Sequence, residues 1–197
     1  RTLGREKSFG GFRVIYLASS SPRRKVLLKK AKIGFRVLRP DYKETRGSER
    51  EPARLSRRHA LGKALSAAPR VRNGIILAAD TVVFSNGKIF GKPKDEPHAF
   101  RMLAALSGHW HVVVTAVALL KICGSRIVKK VVFHDRSKVK LKKMGTEDIR
   151  KYFQAIHPLD KAGAYAVQSG EARIVQEILG SRTNVMGLPM EKLKMKL

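Results

Sequence analysis

From Gly74 to Phe84 the chain is apolar throughout except for Asp80-Thr81. A run of that kind suits a strand buried on both faces, so it fits the middle of a sheet covered on both sides. Asn86-Gly87 follows and is a strong hairpin signal, returning the chain through Lys88-Ile89-Phe90. Trp110 to Cys123 reads as a second long strand, and Gly124-Ser125 turns it into Arg126 to His134. Long hairpins next to helical patterns predict a mixed α/β architecture and exclude a purely parallel sheet.

Earlier in the chain, Val14 to Ala18 reads as a short buried strand leading into Ser19-Ser20-Ser21-Pro22-Arg23-Arg24. Ser21 suits a helix N-cap and Pro22 the first helical position, where a missing N–H costs nothing. The helix is expected over Arg23 to Lys32, with Leu27, Leu28 and Ala31 on its apolar face. Hydroxyls, free backbone N–H groups and two arginines are thus delivered to a helix N-terminus, which favours an anion. An ordinary capped helix with solvated basic residues would read the same way.

Phe35 to Leu38 suits another strand, residues 39–50 a polar loop holding Glu44, and Glu51 to Ala68 a helix carrying Lys63. Gly91-Lys92-Pro93-Lys94 is a loop, and Asp95 caps a helix to Leu106. Val139 and Leu141 suggest a weak extra strand, and Thr146 opens a helix to about Ala155. Leu159 to Gln168 is irregular and Ala172 to Leu179 a strand. Gly180 to Thr183 is a loop, and Met186-Gly187-Leu188-Pro189 starts a final helix. Residues 1–12 are basic and glycine-containing and read as a mobile leader, with 13–197 as a single domain.

The balance of 42 basic to 15 acidic residues, a net charge of +27, implies a field attracting polyanions. The cations are spread along the chain, so no dedicated nucleic-acid tail is indicated, though non-specific nucleic-acid binding through a basic surface is compatible with them. The single cysteine, Cys123, excludes an intramolecular disulfide, fits a reducing compartment and is expected in the core. With no signal-peptide pattern and no long apolar segment, the expectation is a soluble cytoplasmic protein with no membrane partner.

Scarcity of acids makes Asp80 stand out, because no other acid occurs between Glu51 and Asp95. A carboxylate on a buried strand is costly unless paired, metal-bound or at a cleft. Asp80 is therefore either a structural aspartate held by backbone or lysine, or a general base or metal ligand. Glu44 could bind metal or pair with a neighbouring arginine, and composition favours the pair. Lys63 and Lys92 read as solvated in so basic a chain. His109 and His111 alternate like one strand face and read as surface residues, and the six histidines show no metal-ligand spacing.

Taken together, Leu17–Leu28, Ala78–Val83, Gly91–Gly108, Pro158–Tyr165, Gly180-Ser181 and Asn184–Pro189 resemble the Maf (septum-formation-inhibitor-like) nucleotide pyrophosphatases, in order and spacing from about residue 14 to 190. The resemblance implies a mixed twisted sheet with flanking helices and two lobes around a nucleotide-binding cleft. It implies hydrolysis of a nucleoside triphosphate to the monophosphate and pyrophosphate, assisted by a divalent metal such as Mg2+ or Mn2+, and leaves room for a homodimer. It assigns phosphate binding to Ser19, Arg23, Arg24, Lys63 and Lys92, catalysis to Asp80, and metal binding to Glu44 and Asp80. Arg23, Thr81 and Gln168 match the specificity positions of the branch acting on dTTP and UTP. The chain departs from the family pattern at Ala78, Lys43, Ile156-His157, Ser169 and Arg182. Two alternatives follow from other considerations: a nucleic-acid-binding protein on this fold, or a catalytically weakened relative acting in cell-division control.

Overall fold

The computed structural model describes residues 14–45, 49–167 and 174–197. The expected leader, 1–12, and Gln168 lie outside them. Among the described residues, seven strands form one mixed sheet in the order β2-β1-β3-β5-β6-β7, with β4 also on β3. They are β1 (Ile15–Leu17), β2 (Arg36–Val37), β3 (Gly74–Ser85), β4 (Lys88–Phe90), β5 (Trp110–Cys123), β6 (Arg126–Leu141) and β7 (Val175–Leu179). The helices are α1 (Pro22–Lys30), α2 (Pro52–Ala67), α3 (Glu96–Leu106), α4 (Thr146–Ala155), α5 (Arg182–Val185) and α6 (Met190–Lys194).

β3 is central, as its apolar run requires. It pairs antiparallel with β5 along nearly its whole length, Gly74 opposite Ile122 and Phe84 opposite Val112. Its other edge is shared. β1 runs parallel beside Ile75–Leu77, and β4 returns antiparallel beside Val83–Ser85. Between these pairings, from Ala78 to Val82, that edge has neither neighbour. The opening arises because β1 ends at Leu17 and the chain turns away into α1.

Alternation along β3 sends successive side chains to opposite faces. Ile76 and Ala78 pack under α2 with Ala60, Ala64 and Ala67. Ile75, Leu77 and Ala79 pack on the other face with Leu27 and Leu28 of α1 and with Leu188 and Leu193. A third cluster lies toward the far end of the strand, joining Val83 and Val113 to Leu103 and Leu106 of α3, Tyr152 of α4, and Tyr165. The open part of β3 lies between these packed groups, and there the cleft forms.

Several expectations change. β6 is one strand from Arg126 to Leu141, so Val139 and Leu141 belong to it rather than to a separate strand; both are buried, and both pair with β7. The segment after Gly180 is not all loop, because Ser181 caps the short α5 by accepting from Asn184 N–H, and the last helix starts at Met190. Cys123 is exposed, since it sits at the tip of the β5–β6 hairpin beyond the covering helices. His111 is buried, its Nε2 2.7 Å from the Tyr165 hydroxyl, while His109 is exposed. Strand alternation alone does not say which face of β5 is covered at its first residues. Among the described residues, no helix is long and apolar enough to cross a membrane.

Candidate active site

The cleft holds about 620 Å³ and is lined by Ser19 to Arg24, Glu44, Lys63, Asp80, Thr81, Lys92 and, from the opposite wall, Asp160, Lys161 and Tyr165. Six separate stretches of the sequence therefore converge on the open edge of β3.

Asp80 and Thr81 are neighbours that serve opposite faces. Asp80 points to the α2 side, where Lys63 Nζ lies 2.6 Å from its Oδ1. The same Nζ lies 2.7 Å from Glu44 Oε1. Lys63 and Asp80 are buried, and Glu44 is at the surface with 40% of its side chain exposed. The expectations of a solvated Lys63 and of a Glu44–arginine pair are both overturned, because Lys63 shares the buried stripe of α2 with Ser56, His59, Ala60 and Ala67. That stripe's spacing was readable in the sequence. Burial pushes the Glu44 carboxyl up, but Lys63, with Lys92 and His59 behind it, overrides burial and holds it below its ordinary value.

His59 and Tyr42 were not singled out by sequence, yet both line the cleft beside Lys63. Tyr42 Oη lies 3.1 Å from His59 Nδ1. Burial holds His59 below its ordinary value against the pull of Asp80 and Glu44. Gly62 explains how Tyr42 can pack directly against α2, since a Cβ there would sit 2.2 Å from the tyrosine ring. Glycine inside a helix costs about 1 kcal/mol against alanine, and here it makes room for an aromatic wall of the cleft.

Thr81 points to the α1 side and meets Arg24. The Arg24 guanidinium donates from Nε to Gly187 O at 2.8 Å, from Nη1 to Ser19 Oγ at 3.0 Å, and from Nη2 to Thr81 Oγ1 at 3.3 Å. Burial lowers its pKa to about 10, opposed by Asp80, which still leaves it charged at neutral pH. Arg24 thus ties the helix start, β3 and the C-terminal segment together. Gly187 (φ +101°) is held close to this knot, with any Cβ 3.3 Å from Thr81 Oγ1. Ser21 occupies the cap position of α1 without a side-chain cap bond; its N–H donates to Ser19 Oγ at 3.2 Å instead.

Arg23 reaches the other wall. Its Nη1 donates to Asp160 Oδ2 at 2.9 Å and its Nη2 to Asp160 O at 3.1 Å. Lys161 Nζ holds the other oxygen of Asp160 and also donates to His157 O. Burial raises the Asp160 carboxyl, but Lys161 and Arg23 bring it below its ordinary value. Arg23 keeps N–H groups beyond those two bonds, so it can hold Asp160 and an anion together.

Ser19, Arg23, Arg24, Lys63, Asp80, Thr81 and Lys92 are therefore all brought to one cleft, with Lys92 exposed at its lip. Gln168 lies outside the described residues. Among the described residues, no group of three or more His, Cys, Asp or Glu side chains could hold a metal. Glu44 and Asp80 nevertheless meet one Nζ through a single oxygen each, which leaves a second oxygen on each carboxylate. One or two carboxylates completed by substrate phosphates and water is the usual Mg2+ arrangement, so this pair fits such an ion.

The family model for Maf-like proteins matches residues 14–197. The chain is 42% identical over 180 residues to a dTTP/UTP pyrophosphatase of Dictyoglomus turgidum, covering 91% of this chain and 92% of that protein. It is 46% identical over 176 residues to a dTTP/UTP pyrophosphatase of Citrifermentans bemidjiense, covering 89% and 90%. Among solved structures it is similar to the Staphylococcus aureus Ham1 protein, at 16% identity, TM-score 0.49, and 93% and 100% coverage.

Proposed function

The chain belongs to the Maf-like family, and on that premise we propose that it hydrolyses dTTP and UTP to the monophosphate and pyrophosphate, with Asp80 as the general base. The relatives' printed activity supports the reaction. The observation that carries the assignment is a buried carboxylate gripped through Oδ1 by Lys63, facing a cleft whose opposite side carries Ser19, Arg23 and Arg24.

Water attacks the α-phosphorus, the bond to the α–β bridging oxygen breaks, and pyrophosphate leaves. Asp80 takes the water's proton. Lys63 fixes the carboxylate's orientation, so its geometry is set before substrate arrives. Ser19 Oγ, Arg23 and Lys92 offer donors to the triphosphate oxygens, and the start of α1 adds backbone N–H groups. Arg24 holds Ser19 and Thr81 in place and contributes its charge. A divalent cation held by Glu44 and Asp80 would neutralise phosphate charge as the leaving group departs.

Pyrophosphate release across the common nucleoside triphosphates tests this reading. dTTP and UTP should be cleaved in preference to CTP, ATP and GTP. Asp80→Asn should remain folded, bind nucleotide, and lose turnover by roughly 10²–10⁴. Parent-like turnover in that variant would remove Asp80 from the role, and release of orthophosphate alone would remove the reaction itself.

A further inference from the structure

Thr81 and Thr115 face each other directly across β3 and β5. Their hydroxyl oxygens are 2.9 Å apart, a distance that needs one proton between them. Thr115 Oγ1 is also 2.8 Å from Asn184 O. A carbonyl oxygen only accepts, so the proton of Thr115 lies on that bond. The proton between the two threonines must then belong to Thr81. Arg24 Nη2 approaches Thr81 Oγ1 as a third partner and is itself only a donor. One arrangement alone satisfies all three contacts: Arg24 donates to Thr81, Thr81 donates to Thr115, and Thr115 donates to Asn184 O.

From this we infer that Thr115 fixes the polarity of Thr81, leaving the Thr81 hydroxyl only a lone pair to offer the nucleotide, and that this selects bases that donate from the ring nitrogen. Thr81 lines the cleft and is partly exposed, whereas Thr115 is fully buried and does not reach it. Thr115 is thus a positioning residue. The inference rests on the pyrimidine reading above and deepens it. Uracil and thymine carry a donor N3–H, which an acceptor-only hydroxyl can pair. Cytosine N3 is an acceptor, so it would face Thr81 lone pair to lone pair, with no hydrogen bond between oxygen and nitrogen. A site that pairs a substrate N–H rejects an analogue lacking it far more strongly than shape alone can. Adenine N1, also an acceptor, is disfavoured in the same way, while guanine N1–H is a donor and is not.

The surroundings hold this arrangement rigidly. Asn184 is fully buried, accepts from Thr115 N–H on Oδ1 at 3.2 Å, and donates from Nδ2 to Val113 O and Ser137 Oγ. Asn184 O also accepts from Gly187 N–H at 2.9 Å, so it keeps a partner if the Thr115 hydroxyl is removed. The Thr115 N–H bond to Asn184 would survive as well.

The test compares kcat/KM for UTP, CTP and GTP in the parent, Thr115→Val and Thr115→Ser. With valine the Thr81 proton is released, the hydroxyl can rotate to donate into the cleft, and CTP becomes acceptable. The CTP/UTP ratio should rise by roughly tenfold, the size of one hydrogen bond won or lost, while the GTP/CTP ratio falls. Thr115→Ser keeps the hydroxyl and should keep the parent ratios. Thr115→Ala gives the same readout as valine if the larger side chain disturbs folding, which a melting curve would reveal. A folded Thr115→Val or Thr115→Ala enzyme with parent ratios overturns the inference, as does a Thr115→Ser enzyme that behaves like valine. A parent enzyme with no preference for UTP over CTP would instead overturn the pyrimidine reading on which it stands.

Discussion

Lys63 Nζ sits 2.6 Å from Asp80 Oδ1 with both residues buried between α2 and β3. Removing one charge of such a pair leaves the other desolvated and alone, which costs about 3–5 kcal/mol. Lys63→Met should therefore destabilise the protein by that order in urea unfolding. The double variant Lys63→Met/Asp80→Asn should recover much of the loss, because no buried charge is left alone and only the solvent-exposed Glu44 loses its lysine. Additive losses would mean that the two groups do not interact as the geometry indicates.

That pair also marks the limit of what the sequence makes legible. Asp80 could be found because an acid inside an apolar strand has no bland surface explanation, and the strands from Gly74 and Trp110 could be drawn almost to their ends. Lys63 could not be separated by type from 41 other basic residues, though its phase on the α2 stripe was available. Asp160 and Lys161 carry no local signal, since their role depends on a wall contributed from far along the chain. His111 and Cys123 depart from the sequence expectation for one reason: strand periodicity gives alternation, but not where covering helices begin and end. The open edge of β3, which makes the cleft, depends on β1 ending at Leu17 and β4 ending at Phe90, a matter of pairing that no single stretch encodes.

Arg24 bridges Ser19, Thr81 and Gly187 O with three separate N–H groups. Lysine cannot reproduce that fork. Arg24→Lys should lower stability by about 1.5–3 kcal/mol, the scale of charged hydrogen bonds lost in a buried setting. Nucleotide affinity should drop on the order of tenfold, since Ser19 loses its anchor. Calorimetric titration with a non-hydrolysable dTTP analogue, alongside a melting curve, measures both effects, and an unchanged affinity would detach Arg24 from the binding site.

Asp160 and Arg23 face one another with 40% and 28% of their side chains exposed. Solvent screening limits such a pair to about 1 kcal/mol or less. Asp160→Asn should lower the melting temperature only modestly, since the amide oxygen can still accept from a cation, although the buried Lys161 loses its carboxylate partner. It should still raise KM for dTTP several-fold, because Arg23 loses the group that holds it across the cleft mouth. A large loss of stability with parent-like KM would make Asp160 a structural element instead.

Glu44 and Asp80 share Lys63, and Glu44 is the more exposed of the two. Glu44→Gln should therefore fold normally. If Glu44 holds a cation, Mn2+ affinity in the presence of a nucleotide analogue should fall at least by the roughly tenfold that even outer-sphere changes cause. Electron paramagnetic resonance of bound Mn2+ reads this without turnover. Identical Mn2+ binding in the parent and Glu44→Gln proteins would remove Glu44 from the metal site.

His111 gives stability a pH dependence of defined sign. Burial in the cluster around Val113 and Tyr165 lowers its pKa from 6.5 to about 4. Between those values the unfolded chain binds a proton that the folded protein does not, so stability rises with pH through that window. Above 6.5 the histidine is neutral in both states and the penalty is absent. As pH falls through the window the penalty grows to about 3 kcal/mol, then levels off below the folded value. His111→Gln keeps a polar partner for the Tyr165 hydroxyl but cannot titrate. The gap in unfolding free energy between parent and variant should therefore shift in the variant's favour as pH is lowered from 7 to about 4. Two unfolding curves that fall in parallel across this range would show that His111 takes no part in the acid sensitivity.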